Sequence, residues 1–174
     1  MISHSPEEHI AAVTPSRLTD EEIKLLLDMR LIANLATIDD DGGIHLVPMW
    51  FRRDDDHILM PTSRYTLKYR NLSARPRASV MIDVSRPGLD LRGVLIRGPV
   101  EIIKGDSARA LNRSIHLRYV IAEGLSQGAV VTYLREGDDV TLKIAMERMV
   151  TWDLARSEAG RALAATGAFH ELDV

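Results

Sequence analysis

The sequence predicts a mainly β fold of the α+β class, in which antiparallel strands form a small barrel and short helices lie at its periphery. The chain has 174 residues, 45% hydrophobic and 27% charged, so it is long enough for one hydrophobic core and has a globular composition. Its short apolar runs are separated by turns rich in Asp and Gly, which favours hairpins. Strands dominate and helices fill the connections between them, which favours a small antiparallel barrel.

The first half predicts one helix followed by a three-stranded meander. Thr19 and Glu22 form a capping box at the start of a helix that continues to Arg30. A second, small helix follows the third strand, and the hydroxyl residues Thr62 and Ser63 are expected to cap it. Strands are predicted at residues 31–38, 44–52 and 58–60, with turns at 39–43 and 54–56.

The second half predicts four more strands and three helices. Gly93 and Gly98 fall inside one long apolar run and indicate bends or bulges in that strand. Leu111, Ile115 and Tyr119 repeat at a helical spacing in the connection that follows. The strands are predicted at residues 77–84, 91–104, 140–146 and 148–154, and the helices at 105–122, 127–135 and 155–165.

The expected organisation is a polar arm over residues 1–17, the barrel over 18–154, and a helix with a tail over 155–174. No signal peptide or membrane-length apolar run is visible, so a cytoplasmic protein without a membrane partner is expected. A sequence pI near 6.1 argues against a nucleic-acid partner bound by bulk charge. The absence of cysteine excludes disulfides and thiolate chemistry, and the six histidines lack metal-ligand spacing.

Residues 58–82 carry five basic residues and no Asp or Glu, although the chain has a formal net charge of -3. The basic residues are Arg64, Lys68, Arg70, Arg75 and Arg77. The segment runs from a predicted strand into a helix, and the start of a helix offers free N–H groups and a positive dipole to a phosphate. Arg64 and Lys68, four residues apart, are expected on one helix face. The alternative is an amphipathic surface helix with ordinary basic residues.

Two further features admit a functional and a structural interpretation. Gly124-Leu125-Ser126-Gln127-Gly128 matches the nucleophile-elbow pattern, but it follows a helical stretch, so a turn between helices is the expected structure. Trp50 and Trp152 each end or lie within a predicted strand. Either indole could pack in the core or an interface, or could stack near a flat aromatic cofactor at the lip of the barrel.

Five segments follow one another in a specific order. They are Leu31 to Ile38, Val47-Pro48-Met49-Trp50-Phe51, Thr62-Ser63-(x)4-Lys68-(x)2-Asn71-Leu72, Ala74-Arg75-Pro76-Arg77-Ala78-Ser79-Val80, and Arg92-Gly93-Val94-(x)3-Gly98. In that order and spacing, over residues 18–154, they resemble the pyridoxamine-phosphate-oxidase-like superfamily. The resemblance implies a split β-barrel homodimer that binds FMN or the deazaflavin coenzyme F420 at the dimer interface.

The resemblance also implies roles for individual residues. Lys68 matches the family's phosphate-binding lysine, and Thr62 and Ser63 match strand-end residues near that phosphate. The strand from Val47 to Phe51, which includes Pro48, Met49 and Trp50, matches the one that lines the ring system. Arg64 and Asn71 belong to the same expected cofactor site, and Trp152 resembles a residue that faces the cofactor from the other subunit.

Two departures argue against vitamin B6 chemistry. Leu67 stands where authentic pyridoxamine phosphate oxidases have an arginine before the lysine, and the chain ends in His170-Glu171-Leu172-Asp173-Val174, without their basic ending. The remaining motifs look more like the deazaflavin-dependent subgroup. The expected function is therefore an F420-dependent oxidoreductase that passes hydride to a conjugated small molecule, with no catalytic residue assigned. An FMN-dependent oxidoreductase and a non-catalytic flavin- or haem-type binding protein are the alternatives.

A homodimer is also expected from the strands themselves. A lone split barrel leaves strand edges and one face open. The aliphatic strands at residues 91–104 and 140–146 are expected to bury those edges against a second copy of the chain.

Overall fold

The computed structural model describes residues 16–86, 88–137 and 139–168. These residues form two compact units. One unit contains the described residues up to Leu26, residues 83–94 and the chain from Val150 onward. The other contains residues 27–82 and 95–149, and with them most of the strands. The predicted arm at residues 1–17 lies almost wholly outside the described residues, and the predicted domain boundaries stay a prediction.

The fold-class prediction is confirmed: the described residues form an eight-stranded antiparallel sheet with helices in its connections. The strands are β1 (Ala33–Ile38), β2 (Ile44–Met49), β3 (Arg52–Asp54), β4 (His57–Thr62), β5 (Arg77–Ser85), β6 (Leu91–Lys104), β7 (Val140–Ala145) and β8 (Arg148–Asp153). The helices are α1 (Asp20–Asp28), α2 (Leu67–Ala74), α3 (Gly105–Tyr119), α4 (Gly128–Gly137) and α5 (Glu158–Ala164), with a 3-10 segment at Ala122–Ser126.

The strands follow the order β2-β1-β5-β6-β7-β4-β3, and β8 pairs with β6. Alternation along β1 fixes which face is buried. Leu35, which pairs with Val47 on one side and Val80 on the other, is fully buried. The alternate residue Ala36 pairs with Leu46, which is 60% exposed. Because successive side chains of a strand point to opposite sides of the sheet, β1 and β2 have one face toward the core and one open face.

The strand predicted at residues 44–52 is interrupted. β2 ends at Met49, and β3 begins at Arg52. At the interruption Phe51 is fully buried, and its N–H donates to the Tyr119 hydroxyl at 3.3 Å. The same hydroxyl donates toward the carbonyls of Leu31 at 2.7 Å and Phe51 at 3.2 Å. A side chain from α3 thus takes the place of a neighbouring strand, which sequence periodicity cannot anticipate.

β6 and β7 lie inside the sheet, and the expectation that they bury strand edges against a second copy stays a prediction. β7 pairs with β4 on one side and β6 on the other, and Leu142 and Ile144 are fully buried within the chain. Gly98, where a bend or bulge was predicted, lies within the continuous strand β6 and approaches β7 closely. A Cβ built there would lie 1.9 Å from the carbonyl oxygen of Ala145, so only glycine allows this approach.

The capping box predicted for α1 is confirmed. The N–H of Thr19 donates to the Glu22 carboxylate at 2.8 Å, and the N–H of Glu22 donates to the Thr19 hydroxyl at 3.3 Å. The bond from Thr19 and the neighbouring Arg156 guanidinium lower the pKa of Glu22. None of the helices in the described part of the chain is long and apolar enough to cross a bilayer.

Candidate functional site

The turn between β4 and α2 is built by hydroxyl groups, but not as the sequence predicted. The N-cap of α2 is Thr66, whose hydroxyl accepts from the N–H of Tyr69 at 3.4 Å. Thr62 and Ser63 are both buried: the Thr62 hydroxyl lies 3.2 Å from that of Thr66, and the Ser63 hydroxyl accepts from the N–H of Tyr65. The expectation that Thr62 and Ser63 cap the helix is therefore wrong, because the chain first makes a four-residue turn.

Arg64 lies in that turn, outside α2. The expectation that Arg64 and Lys68 share one helix face is therefore wrong. Its guanidinium and its backbone N–H both bond to the carboxylate of Asp139, which precedes β7. Burial opposes ionisation of Asp139, but these bonds from Arg64 bring the pKa of its carboxyl below the ordinary value. Lys68 lies on the first turn of α2, half-buried.

Carboxylates from distant segments neutralise much of the basic stretch at residues 58–82. Arg75 donates to the Asp40 carboxylate at 2.8 Å and to the Ile38 carbonyl at 2.9 Å. The bond from Arg75 lowers the pKa of Asp40. Arg77 donates to Glu147 at 2.6 Å. The segment itself contains no Asp or Glu, but carboxylates from other parts of the chain lie beside it. Arg75, Arg77 and Arg64 are therefore paired and do not form a free cationic surface.

Asn71 ties α2 to the end of β1 and leaves one buried acceptor unused. The side chain is 1% exposed, and its Nδ2 donates to the Thr37 hydroxyl at 3.0 Å and to Asp39 at 2.6 Å. Its Oδ1 is buried and accepts no hydrogen bond from any residue that the structure describes. A buried acceptor without a donor is costly, so this atom fits a hydroxyl or N–H group supplied by a ligand or water.

The strand predicted to line a ring system reaches a cluster of aromatic side chains. Val47, Pro48 and Met49 complete β2, with Pro48 on the exposed face and the other two half-buried. Trp50 follows, stacked on Tyr119 at 5.0 Å between centroids and edge-on to His116 at 6.1 Å. Its indole therefore packs within the chain and holds the end of β2 against α3.

The open face of β1, β2 and β5 carries a groove that the sequence reasoning missed. The groove has a volume of about 450 Å³. Its apolar part includes Ile38 and Ile44, and its rim contains Arg77, Arg97 and Arg148. Unlike Arg77, the Arg97 and Arg148 side chains form no ion pair with any residue that the structure describes. Arg97 and Arg148 are about fifty residues apart in the sequence, and only the pairing of strands brings them to the same groove.

The groove adjoins the α2 site through the last residues of β1. Thr37 lines the groove, and its hydroxyl accepts from Asn71 of α2. Ile38 also lines the groove, and its carbonyl accepts from Arg75. The last residues of β1 therefore connect the groove to Asn71 and Arg75, in and just after the second half of α2.

The remaining predicted features are also located. Trp152 is half-buried on β8, in the unit that contains the chain from Val150 onward, whereas the other nine predicted site residues belong to the second unit. Ser126 ends the 3-10 segment with its hydroxyl donating to the Glu123 carbonyl, so the elbow-like motif is a turn between helices. Within the described part of the chain, no three His, Asp or Glu side chains could hold a metal ion.

Residues 19–153 match the sequence model of the protein family described as pyridoxamine 5'-phosphate oxidase. The chain belongs to the pyridoxamine 5'-phosphate oxidase family. The resemblance seen in the sequence is thus confirmed. No curated protein is detectably similar to the chain.

Solved structures show the same pyridoxamine 5'-phosphate oxidase fold. A conserved hypothetical protein from Mycobacterium tuberculosis is 25% identical, with a TM-score of 0.68 over 90% of this chain and 92% of the other. A protein named F420 reductase is 24% identical, with a TM-score of 0.59 over 76% and 98%. The haem storage protein HutZ from Vibrio cholerae is 18% identical, with a TM-score of 0.58 over 79% and 96%. The fold is therefore shared by proteins named for different ligands.

Proposed function

We propose that this protein is an oxidoreductase that binds coenzyme F420 and passes hydride from its reduced form to a conjugated small-molecule acceptor. The observation that carries the proposal is the arginine-lined groove beside α2, whose Arg97 and Arg148 lack ion-pair partners within the described residues. FMN ends in its ribityl phosphate, whereas F420 continues through lactate into an acidic oligoglutamate tail. A second cationic site beyond the phosphate favours the longer anion. One relative of the same fold is named F420 reductase.

The residues of the α2 site fit the part that the two cofactors share. Lys68 on the first turn of α2 would hold the phosphate, with the helix dipole adding to the attraction. The buried, unused Oδ1 of Asn71 would accept a bond from a ribityl hydroxyl. The deazaflavin supplies the hydride chemistry when bound, and the protein supplies binding, orientation and exclusion of water.

The β2 strand would line the ring system, as the family resemblance implies. Met49 and Val47 present half-buried apolar side chains, and Trp50 fixes the strand end by stacking on Tyr119. Thr62, Ser63 and Arg64 shape the phosphate end by forming the turn that positions Thr66 and α2. The chain from Val150 onward, with Trp152, would face a cofactor bound to the second subunit.

The assignment of F420 is tested by paired fluorescence titrations with F420 and FMN. We expect tighter binding of F420, and Arg97→Gln and Arg148→Gln should each weaken F420 binding about 10-fold while FMN binding changes less. Added salt should weaken F420 binding more than FMN binding, because exposed charges are screened beyond about 8 Å at physiological ionic strength. Arg161→Gln, on α5, is the charge-matched control. Tighter binding of FMN, with no added arginine or salt dependence for F420, would promote the FMN alternative.

Turnover separates the enzyme from a cofactor-binding protein of the same fold. A reductase should oxidise reduced F420 when conjugated acceptors such as quinones or enones are supplied, and Lys68→Ala should lower the rate at limiting cofactor. A binding protein would retain the cofactor affinity and its arginine dependence but would show no turnover with any acceptor. HutZ, which shares the fold, is named as a haem storage protein, so a haem titration belongs in the same experiment.

A further inference from the structure

A second cavity lies between α3, the 3-10 segment and α4, and none of the predicted cofactor residues lines it. Its volume is about 280 Å³. At about 30 Å³ for each water-sized group, it can hold on the order of nine nonhydrogen atoms. The lining residues are Arg109, Asn112, Arg113, His116, Leu125, Val131 and Leu134. The cavity belongs wholly to the unit that contains residues 95–149.

One wall of the cavity is polar and the other is apolar. The four polar residues of the described lining come from α3, where they lie at positions i, i+3, i+4 and i+7 and so share one helix face. Asn112 and His116 are buried, at 1% and 4% exposure, whereas Arg109 and Arg113 are exposed. Opposite them, Leu125, Val131 and Leu134 present only hydrocarbon. The cavity thus runs from a closed interior to a cationic mouth.

The charge at the mouth is positive. The lining side chains that the structure describes include no Asp or Glu. Arg109 pairs with Asp106 one turn earlier, which offsets part of its charge. Arg113 forms no ion pair with any other residue whose side chain the structure describes. A ligand that combines one negative group with a compact apolar body would satisfy both walls at once, because guanidinium groups pair well with carboxylates.

We propose that this cavity binds a small monocarboxylate with an apolar body of about nine or ten nonhydrogen atoms in all. The carboxylate would meet Arg113 and Arg109 at the mouth, and the hydrocarbon would lie against Leu125, Val131 and Leu134. Among the lining residues that the structure describes there is no Phe, Tyr or Trp to stack on a nucleobase, and their composition disfavours a metal ion. The site is separate from the proposed cofactor site and goes beyond the proposed function.

Trp50 provides a reporter for this cavity. Its ring contacts His116 edge-on at 6.1 Å, and His116 lines the cavity. The chain has two tryptophans, so Trp152→Phe leaves Trp50 as the sole tryptophan. Titrating the cofactor-free Trp152→Phe protein with octanoate should give a saturable change in Trp50 fluorescence. The neutral analogue octanol should bind about 10-fold more weakly or worse, because it lacks the charge.

Arg113→Gln should weaken octanoate binding about 10-fold, and Val131→Phe should abolish it by filling the cavity. Arg113 is exposed, so its substitution leaves the fold intact even where Val131→Phe does not. Arg161→Gln is the matched control, and Lys68→Ala should leave octanoate binding unchanged whether or not F420 is the cofactor. The proposal is overturned by the absence of a saturable change at millimolar octanoate. It is also overturned by equal binding of octanol, or by an Arg113→Gln protein that binds octanoate normally.

Discussion

Lys68 is the residue on which the proposed phosphate contact depends. If its ammonium pairs with the phosphate, Lys68→Ala should weaken F420 and FMN binding about 10- to 150-fold, the equivalent of about 1.5–3 kcal/mol for a charge-assisted hydrogen bond. The free energy of unfolding should change by about 0.5 kcal/mol or less. Calorimetric titration and urea denaturation measure the two quantities. Lys24→Ala, on the exposed face of α1, is the control. An unchanged cofactor affinity would return Lys68 to the role of an ordinary surface residue.

We predict that the Tyr119 hydroxyl stabilises the folded chain at the interruption between β2 and β3. Its hydroxyl bonds to both backbone groups of Phe51 and to the Leu31 carbonyl. Tyr119→Phe removes these bonds while keeping the ring stacked on Trp50, so we expect a loss of about 1–3 kcal/mol in the free energy of unfolding. Urea denaturation followed by fluorescence measures it, with Tyr65→Phe, 86% exposed, as the control. Equal stability of the two variants would contradict this role.

At the residue scale, the sequence is informative where the signal is local. Lys68 and Asn71 lie on one short helix, as their spacing predicts, and their role in a cofactor site stays a prediction. Arg97 and Arg148 were missed because they are distant in the chain and meet only through strand pairing. The same limit explains why the basic segment looked more cationic than it is. Its carboxylate partners, Asp40 and Glu147, lie outside the segment.

The contact between β6 and β7 gives a prediction at the scale of elements. Gly98→Ala would place a methyl group 1.9 Å from the Ala145 carbonyl oxygen, so the two strands must move apart. We expect a loss of about 1–3 kcal/mol or more, as for other overpacked sites. Gly128→Ala, at the start of α4 with nothing within 4 Å, should be neutral or slightly stabilising. Thermal denaturation compares the pair, and equal midpoints would refute the close approach.

The bond between Arg64 and Asp139 links the turn before α2 to β7, and it should be sensitive to acid. Because the folded pKa of Asp139 lies below its ordinary value of 3.8, the bond's contribution is fully present above that value. The contribution is lost as the pH falls through the lowered pKa. Asp139→Asn should therefore lower stability at neutral pH and match wild type in strong acid. Urea denaturation between pH 2 and 7 is the measurement, and a pH-independent difference between the proteins would contradict the linkage.

Element-scale prediction succeeded for the capping box of α1 and for most strands, because turn residues and period-two alternation are local signals. It failed at the interruption after Met49 and at the start of α2. In both places a hydroxyl group decides the backbone path: Tyr119 arrives from a distant helix, and Thr66 caps after a turn of its own. Thr62 and Ser63 had the right chemistry for a cap but stood one turn too early.

At the scale of the whole molecule, we predict a homodimer that forms through the open face of β1, β2 and β5. The exposed apolar residues of that face are Ile38, Ile44, Leu46 and Met81, with exposures of 51%, 76%, 60% and 37%. A second copy would cover them, and the same face would complete the proposed cofactor site. Light scattering should give twice the chain mass of 19.4 kDa at micromolar concentration. Leu46→Lys should shift the protein toward monomer, and Leu163→Lys on α5 should not. A wild-type monomer would remove the basis for an interface site.

The identity of the bound cofactor tests the central proposal most directly. The protein should be produced in a host that makes both F420 and FMN, and the ligand that copurifies should be identified by its absorbance spectrum and mass. We expect a deazaflavin with a series of masses that differ by one glutamate, because the arginine-lined groove favours the acidic tail. FMN as the sole copurifying ligand, or haem in its place, would contradict the assignment of F420.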